Sequence, residues 1–276
     1  MSTDQESTTT DAVTKRLGGL RNWNVGVGLA HLAQAVLLLV IASDFAIPLV
    51  GQVQTGPPGS PLTVSTTFFE VRFAWVIAAF LLLAAADHLL MASPWLRPWY
   101  ERNLLAGRNT ARWVEYSVSA SLMVVLIGML TGITDLYAVM GLFAANAAMI
   151  LFGLVMERVN PEQVRLGAGD GAAGSGASVD WWPFTFGCLV GIVPWVAIVV
   201  AFAASSANGG EIPVFVYIIF GSLFVLFNTF ALNQWLQYRA KGRFRNYLYG
   251  EKVYLVLSLV AKSALAWQVF AGTLAD

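Results

Sequence analysis

Seven apolar runs, each long enough to cross a bilayer as a helix, constrain this chain more than any other feature. A hydrocarbon core of about 30 Å needs about 20 helical residues. In lipid every backbone polar group must find its partner within the protein, which leaves helices or closed barrels. The runs lie near residues 22–50, 68–95, 104–132, 134–156, 181–204, 213–238 and 246–273. They predict an all-α membrane protein, a bundle of seven transmembrane helices. Charged residues are only 12% of the chain, about half the share usual in soluble domains. The formal net charge is zero, so bulk electrostatics gives no case for nucleic acid. Cys188 is the only cysteine, so no intramolecular disulfide can form.

The N-terminus, MSTDQESTTTDAVTKR, is polar and lacks the apolar core of a signal peptide. Residues 1–19 read as a disordered cytoplasmic tail, followed by a membrane domain over 20–276. Between the first two runs, Gly51 to Thr67 holds turn formers followed by β-branched residues, and predicts a short extracellular β-hairpin. Gly167 to Val179 is GAGDGAAGSGASV, the composition of a flexible linker. No internal repeat is evident, which weighs against a transporter built from duplicated halves.

Positive charges set the expected orientation. Lys15, Arg16 and Arg21 fall on one side with Arg97, Arg102, Arg108 and Arg112. Arg158, Arg165, Arg239, Lys241, Arg243, Arg245 and Lys252 join them, making 14 of the 16 Lys and Arg. The other side has Arg72, and Lys262 lies inside the last run. The expectation is a multi-pass cell-membrane protein with its N-terminus cytoplasmic and its C-terminus extracellular. Arg112 and Glu101 read as ordinary interface charges.

Lys262 sits about ten residues into the last run, where a lysine is costly and needs a partner, a cavity or a chemical change. A buried lysine can condense with an aldehyde to a Schiff base. His31 in the first run, His88 in the second, Glu115 in the third and Lys262 all fall about 10 to 15 Å below the basic face at the helical rise. They predict one shared polar cavity. Glu115 would pair the lysine and favour its charged form. Ser258 lies one turn before Lys262 on the same face, and Ser119 one turn after Glu115. Asp87, next to His88, points about 100° away and is left outside the cavity. A structural Lys–Glu pair and two core histidines are the plainer alternatives. Trp195, Phe224, Phe227 and Trp267 suit ordinary bundle packing or a slot for a long conjugated ligand. No metal-ligand spacing is present.

ARWVEYSVSASLM in the third run, ADHLL ending the second and SLVAKSALAWQ in the last resemble the heliorhodopsin family, from about Leu20 to Ala271. The resemblance implies a rhodopsin-like bundle with all-trans retinal bound covalently to Lys262. It implies Glu115 as counterion, His31 and His88 in the cytoplasmic-side cavity, Ser258 near the Schiff base and Trp267 against the polyene. It implies a homodimer, with the first extracellular loop forming β-structure at the interface. Ala84 departs from relatives that carry a hydroxyl one turn before His88.

The functional expectation is a non-enzymatic, light-sensing photoreceptor that signals to an unknown cytoplasmic partner. A slow photocycle would keep proton movement in the cytoplasmic-side cavity. A light-driven pump or channel is the alternative. It is disfavoured because the extracellular halves of the runs hold no carboxylate or histidine, and LMVVLIGML beyond Ser121 is apolar. A retinal-free membrane enzyme or transporter using the Glu–Lys pair is the third reading, opposed by the lack of catalytic motifs.

Overall fold

The computed structural model describes residues 2–62, 64–161 and 178–274, with side chains from Val13 onward. The chain opens with α1 (Ser2–Ile41), then β1 (Ala46–Val53), β2 (Val64–Arg72) and α2 (Phe73–Ala92). A short helix α3 (Arg97–Leu105) leads into α4 (Thr110–Leu130) and α5 (Leu136–Val159). After the connection come α6 (Trp182–Ala207), α7 (Val214–Arg239) and α8 (Tyr247–Val269), which a π turn carries on to Leu274. Among the described residues, seven helices are long and apolar enough to cross a membrane, the first of them from Val13.

Helix α4 is the most buried of the seven. It packs against α2 and α5, while α1 packs against α2 and α8, and α5 against α6. Helices α6 and α7 meet through aromatic side chains. Trp195 packs edge-on to Phe220, Phe224 and Phe227 at 5.2 to 5.7 Å, and Phe202 stacks on Tyr217 at 4.7 Å. Rings of this size hold the two backbones apart and leave room between the helices. The half of the bundle nearest the hairpin is a continuous apolar core, with Phe73, Ile77, Phe80, Leu126, Ile127 and Val269 buried in it.

The hairpin pairs Ala46 with Arg72 and Val53 with Val64 in antiparallel register, with an irregularity at Leu49/Val50. Its strands are longer than the sequence suggests. AIPLV reads as the end of an apolar helix, yet α1 stops at Ile41 and these residues become β1. The β-branched and aromatic stretch VSTTFFEV supplies β2, and Gly59, at φ +92, makes the turn between them. Leu49 is buried, and Val50 donates to the Thr134 carbonyl at 2.9 Å, which ties the hairpin to the α4–α5 turn.

Two further features depart from the sequence reading. Helix extends through residues expected as a disordered tail, because Leu17 and Leu20 are buried against Met91, Tyr100, Leu104 and Tyr247, giving the helix a surface to pack on before the span begins. Helix α3 falls mostly between the second and third runs, where the sequence reading placed a short loop; it is a separate helix with Pro98 in its first turn. Most of the expected Gly-rich linker, Gly167 to Val179, lies outside the described residues.

Candidate functional site

Helix α8 positions Lys262 and Ser258 one turn apart, and α4 brings Glu115 across to them. Lys262 Nζ donates to both oxygens of Glu115 at 3.1 Å and to Ser258 Oγ at 3.1 Å. The lysine and glutamate side chains are 4% and 5% exposed, so the pair is shielded from water. The ammonium also lies 4.7 Å from the centre of the Tyr116 ring, within cation–π range. Tyr116 is itself fixed by its hydroxyl, which donates to the Tyr254 carbonyl at 3.1 Å.

His31 and His88 form a second group, contributed by α1 and α2. Their rings stack 5.9 Å apart at 11°. His88 Nδ1 lies 3.0 Å from the Asn24 side-chain amide oxygen, to which it donates when that nitrogen carries the proton. The Asn24 amide in turn donates to the Leu20 carbonyl at 3.0 Å. Both ring nitrogens of His31, Nε2 of His88 and the Ser119 hydroxyl are buried without a hydrogen-bond partner. Asp87 stands 3.9 Å from His88 Nδ1 and is 14% exposed, at the margin of the group. The expected single cluster is thus two adjacent ones: Lys262 with Glu115 and Ser258, and His31 with His88.

A third buried cluster was not expected. Arg112, 4% exposed, pairs with Glu157 at 2.6 Å and with Glu251. Asn109 donates its backbone N–H to Glu157 at 2.8 Å and its side-chain amide to Glu251 at 2.8 Å. The Tyr247 hydroxyl donates to Glu157 at 2.9 Å. The guanidinium is held between the rings of Trp113 and Tyr254, at 4.5 and 3.8 Å. Arg112 is therefore no interface charge. Glu101, paired with Arg97 at 2.6 Å on the partly exposed surface of α3, is one. Charges within a turn of a span's end are ordinarily solvated, and only the fold of the Asn109 loop over them reveals otherwise.

Lys262 and Ser258 form part of the wall of a cavity of about 100 Å³, otherwise lined by apolar and aromatic groups including Trp113, Tyr116, Met123, Ile150, Phe227 and Phe230. A neighbouring cavity of about 230 Å³ shares Met149, Gly153, Phe227, Ala231 and Gln234 with it and extends to Trp195, Phe224 and Cys188. Cys188 is exposed, so this second cavity reaches the side of the bundle. Glycines keep it open: a Cβ on Gly153 would meet the Trp113 ring, and one on Gly191 the Met149 sulfur. Phe227 therefore lines both spaces and Trp195 the outer one. Trp267 lines neither. It sits five residues beyond Lys262, about 140° around the helix, and its indole N–H donates to Gln34 at 3.0 Å.

A primary amine held by a carboxylate and a hydroxyl in the wall of an apolar, aromatic cavity fits a long conjugated aldehyde. The heliorhodopsin family model matches residues 20–274. The chain belongs to the heliorhodopsin family. Membership implies a retinal-binding, light-sensing protein in a family that is generally non-enzymatic. Among solved structures, the chain is similar to a rhodopsin from Exiguobacterium sibiricum, with a TM-score of 0.61 at 15% identity over 92% of this chain and 95% of that one. It is similar to a light-driven proton pump from Leptosphaeria maculans, with a TM-score of 0.58 at 15% identity over 92% and 93%. A cyanorhodopsin from the cyanobacterium Tolypothrix gives 0.55 at 16% identity over 92% and 94%. At these identities the likeness establishes the seven-helix rhodopsin fold alone. No curated protein matches the chain. As a heliorhodopsin, the protein is a multi-pass membrane protein with seven spans and a retinal chromophore.

Proposed function

We propose that this heliorhodopsin is a photoreceptor in which Lys262 holds all-trans retinal as a protonated Schiff base and Glu115 is the counterion. The observation that carries the reading is the Lys262 amine within 3.1 Å of Glu115 and Ser258 in the wall of the apolar cavity. Condensation joins the amine nitrogen to the aldehyde carbon and releases water. Bound there, retinal supplies visible absorption and a light-driven isomerisation.

The chain's own residues supply the rest. Glu115 stabilises positive charge at the nitrogen, and Ser258 orients it. His31 and His88 present unpartnered ring nitrogens beside the pair, where a proton can be taken up without crossing the bundle. The packed apolar half near the hairpin favours proton movement confined to the basic end. The basic end faces the cytoplasm by the positive-inside rule, which puts the N-terminus inside, the C-terminus outside and the unknown signalling partner on the cytoplasmic face. The hairpin exposes Val64, Phe68 and Phe69 beside Tyr137. An apolar patch of this kind suits a homodimer interface.

Borohydride reduction of the purified, retinal-loaded protein, followed by peptide mass spectrometry, tests the linkage. The added mass should fall on Lys262, and a visible band that survives reduction would refute it. Illuminated cell suspensions should show no protonophore-sensitive pH change; a steady photocurrent would instead assign transport. Protease should reach a C-terminal tag and spare an N-terminal one in intact cells.

A further inference from the structure

An open recess of about 1110 Å³ lies at the basic end, between α1, the last residues of α3 and the segment from Gly242 to Lys252. Its lining divides by chemistry. Arg16, Arg243, Arg245 and Lys252 contribute cations, and no carboxylate is among its described lining residues. Leu20, Trp23, Leu105 and Leu248 contribute an apolar wall. The wall residues on α1 run from Val13 to Trp23, about 15 Å along the axis at 1.5 Å per residue. The recess is thus a slot parallel to the helices, deeper than a headgroup. Trp23, 39% exposed, stands under Lys252, whose Nζ lies 4.8 Å from the ring centre. An aromatic beside a cation at a span's end marks the bilayer interface.

We propose that this slot binds an anionic phospholipid, its phosphate headgroup among Arg16, Arg243 and Lys252 and an acyl chain along the apolar wall. Phosphate needs several donors of positive charge converging on one volume, and four cations line this one. The apolar wall decides between an amphiphile and an acidic peptide. A peptide would satisfy the cations but would press its polar backbone against Leu20, Leu105 and Leu248, at a cost in unpaired groups. A lipid meets both halves. The backbone shapes the slot: Ala240 and Gly242 both have positive φ, at 46° and 57°, and the 3-10 turn from Gly242 to Arg245 brings Arg243 and Arg245 into the lining.

The test is independent of the chromophore. The full chain is placed in phosphatidylcholine nanodiscs with a trace of spin-labelled phosphatidylglycerol or spin-labelled phosphatidylcholine, and the immobilised fraction of each label is compared. The acidic label should be retained in preference. Arg16→Gln and Arg243→Gln should each lower that preference about fivefold, the weight of one basic residue toward an acidic lipid surface. Arg102→Gln and Arg108→Gln, exposed cations of the same end that do not line the slot, should leave it unchanged. Equal losses in both pairs of variants would reduce the effect to diffuse surface charge and overturn the slot. Full competition by inorganic phosphate at matched ionic strength would assign a soluble anion instead, and equal retention of the two labels in the unmodified protein would remove the site altogether.

Discussion

Two buried ion clusters share α4 and α8, one turn apart on α4, and they are built by opposite rules. Around Arg112, two carboxylates accept from a guanidinium, a backbone N–H, a side-chain amide and a tyrosine hydroxyl. Glu251 lies near the N-terminus of α8, whose dipole favours a carboxylate there, whereas Glu157 lies in the last turn of α5 and depends on its donors. Around Lys262, one amine meets one carboxylate and one serine, and the neighbouring Ser119 and His31 keep polar atoms unpartnered. A network in which each carboxylate accepts from at least two donors rigidifies, even though Arg112 Nε is left without a partner. A sparsely satisfied one can change its protonation and partners. In the proposed photoreceptor, the first cluster fixes the two helices and the second responds while they stay fixed.

The largest expected effect breaks the comparison at its responsive member. Replacing Lys262 by Ala should abolish the visible band after retinal addition. Pairing it with Glu115→Gln removes both charges together, so no uncompensated carboxylate is left to unfold the bundle. The double variant should therefore migrate as a folded, colourless protein in size-exclusion chromatography. A retained band would show that another group holds the chromophore.

The next effect falls on the rigid member. Arg112→Leu leaves Glu157 and Glu251 buried side by side without their cation, and breaking such a pair costs about 3–5 kcal/mol. Thermal unfolding in detergent should begin well below that of the unmodified protein. Arg97→Gln, which opens the partly exposed pair with Glu101, should cost no more than about 1 kcal/mol. Similar melting temperatures for the two variants would mean that burial does not separate the clusters as described.

Glu115→Gln sharpens the comparison from the optical side. A carboxylate near the nitrogen stabilises positive charge there in the ground state, and excitation moves that charge away along the polyene. The band of the protonated pigment should therefore move to longer wavelength when the carboxylate is neutralised. Glu251→Gln, in the rigid cluster, should move it much less. An unchanged band in Glu115→Gln would make Asp87, 3.9 Å from His88, the first alternative counterion.

The contrast between the clusters also explains what could be read from the sequence. Lys262, Glu115 and Ser258 were legible because a lone charge deep in a long apolar run has few physical explanations, and a four-residue spacing fixes which hydroxyl faces it. Equal depth pointed to His31 and His88 sharing a polar site, but not to the stacking of their rings. Arg112, Glu157 and Glu251 were not legible as a cluster, since each lies near a span's end. Their burial depends on the Asn109 loop, which apolar periodicity does not describe. Trp267 illustrates the limit of depth alone: it lies near the level of the cavity, but its direction around α8 takes it to Gln34 instead. The seven spans were recovered from hydropathy, while β1 was hidden because AIPLV is as apolar as the helix before it.

The smallest effect tests whether the rigid cluster is as redundant as its donors suggest. The Tyr247 hydroxyl donates to Glu157 at 2.9 Å, but Glu157 also accepts from Arg112 and from the Asn109 backbone. Tyr247→Phe keeps the ring, which packs with Leu17, Leu20 and Leu255, and removes one donor from a carboxylate that retains two. A hydrogen bond to a charged group is worth about 1.5–3 kcal/mol, and the remaining donors should hold the loss to the lower end of that range. Because Tyr247 touches the α4–α8 frame and not the Lys262 amine, the absorption band should stay where it is while the melting temperature falls slightly. A band shift as large as that of Glu115→Gln would mean that the two clusters respond as one unit, and that the frame is not rigid.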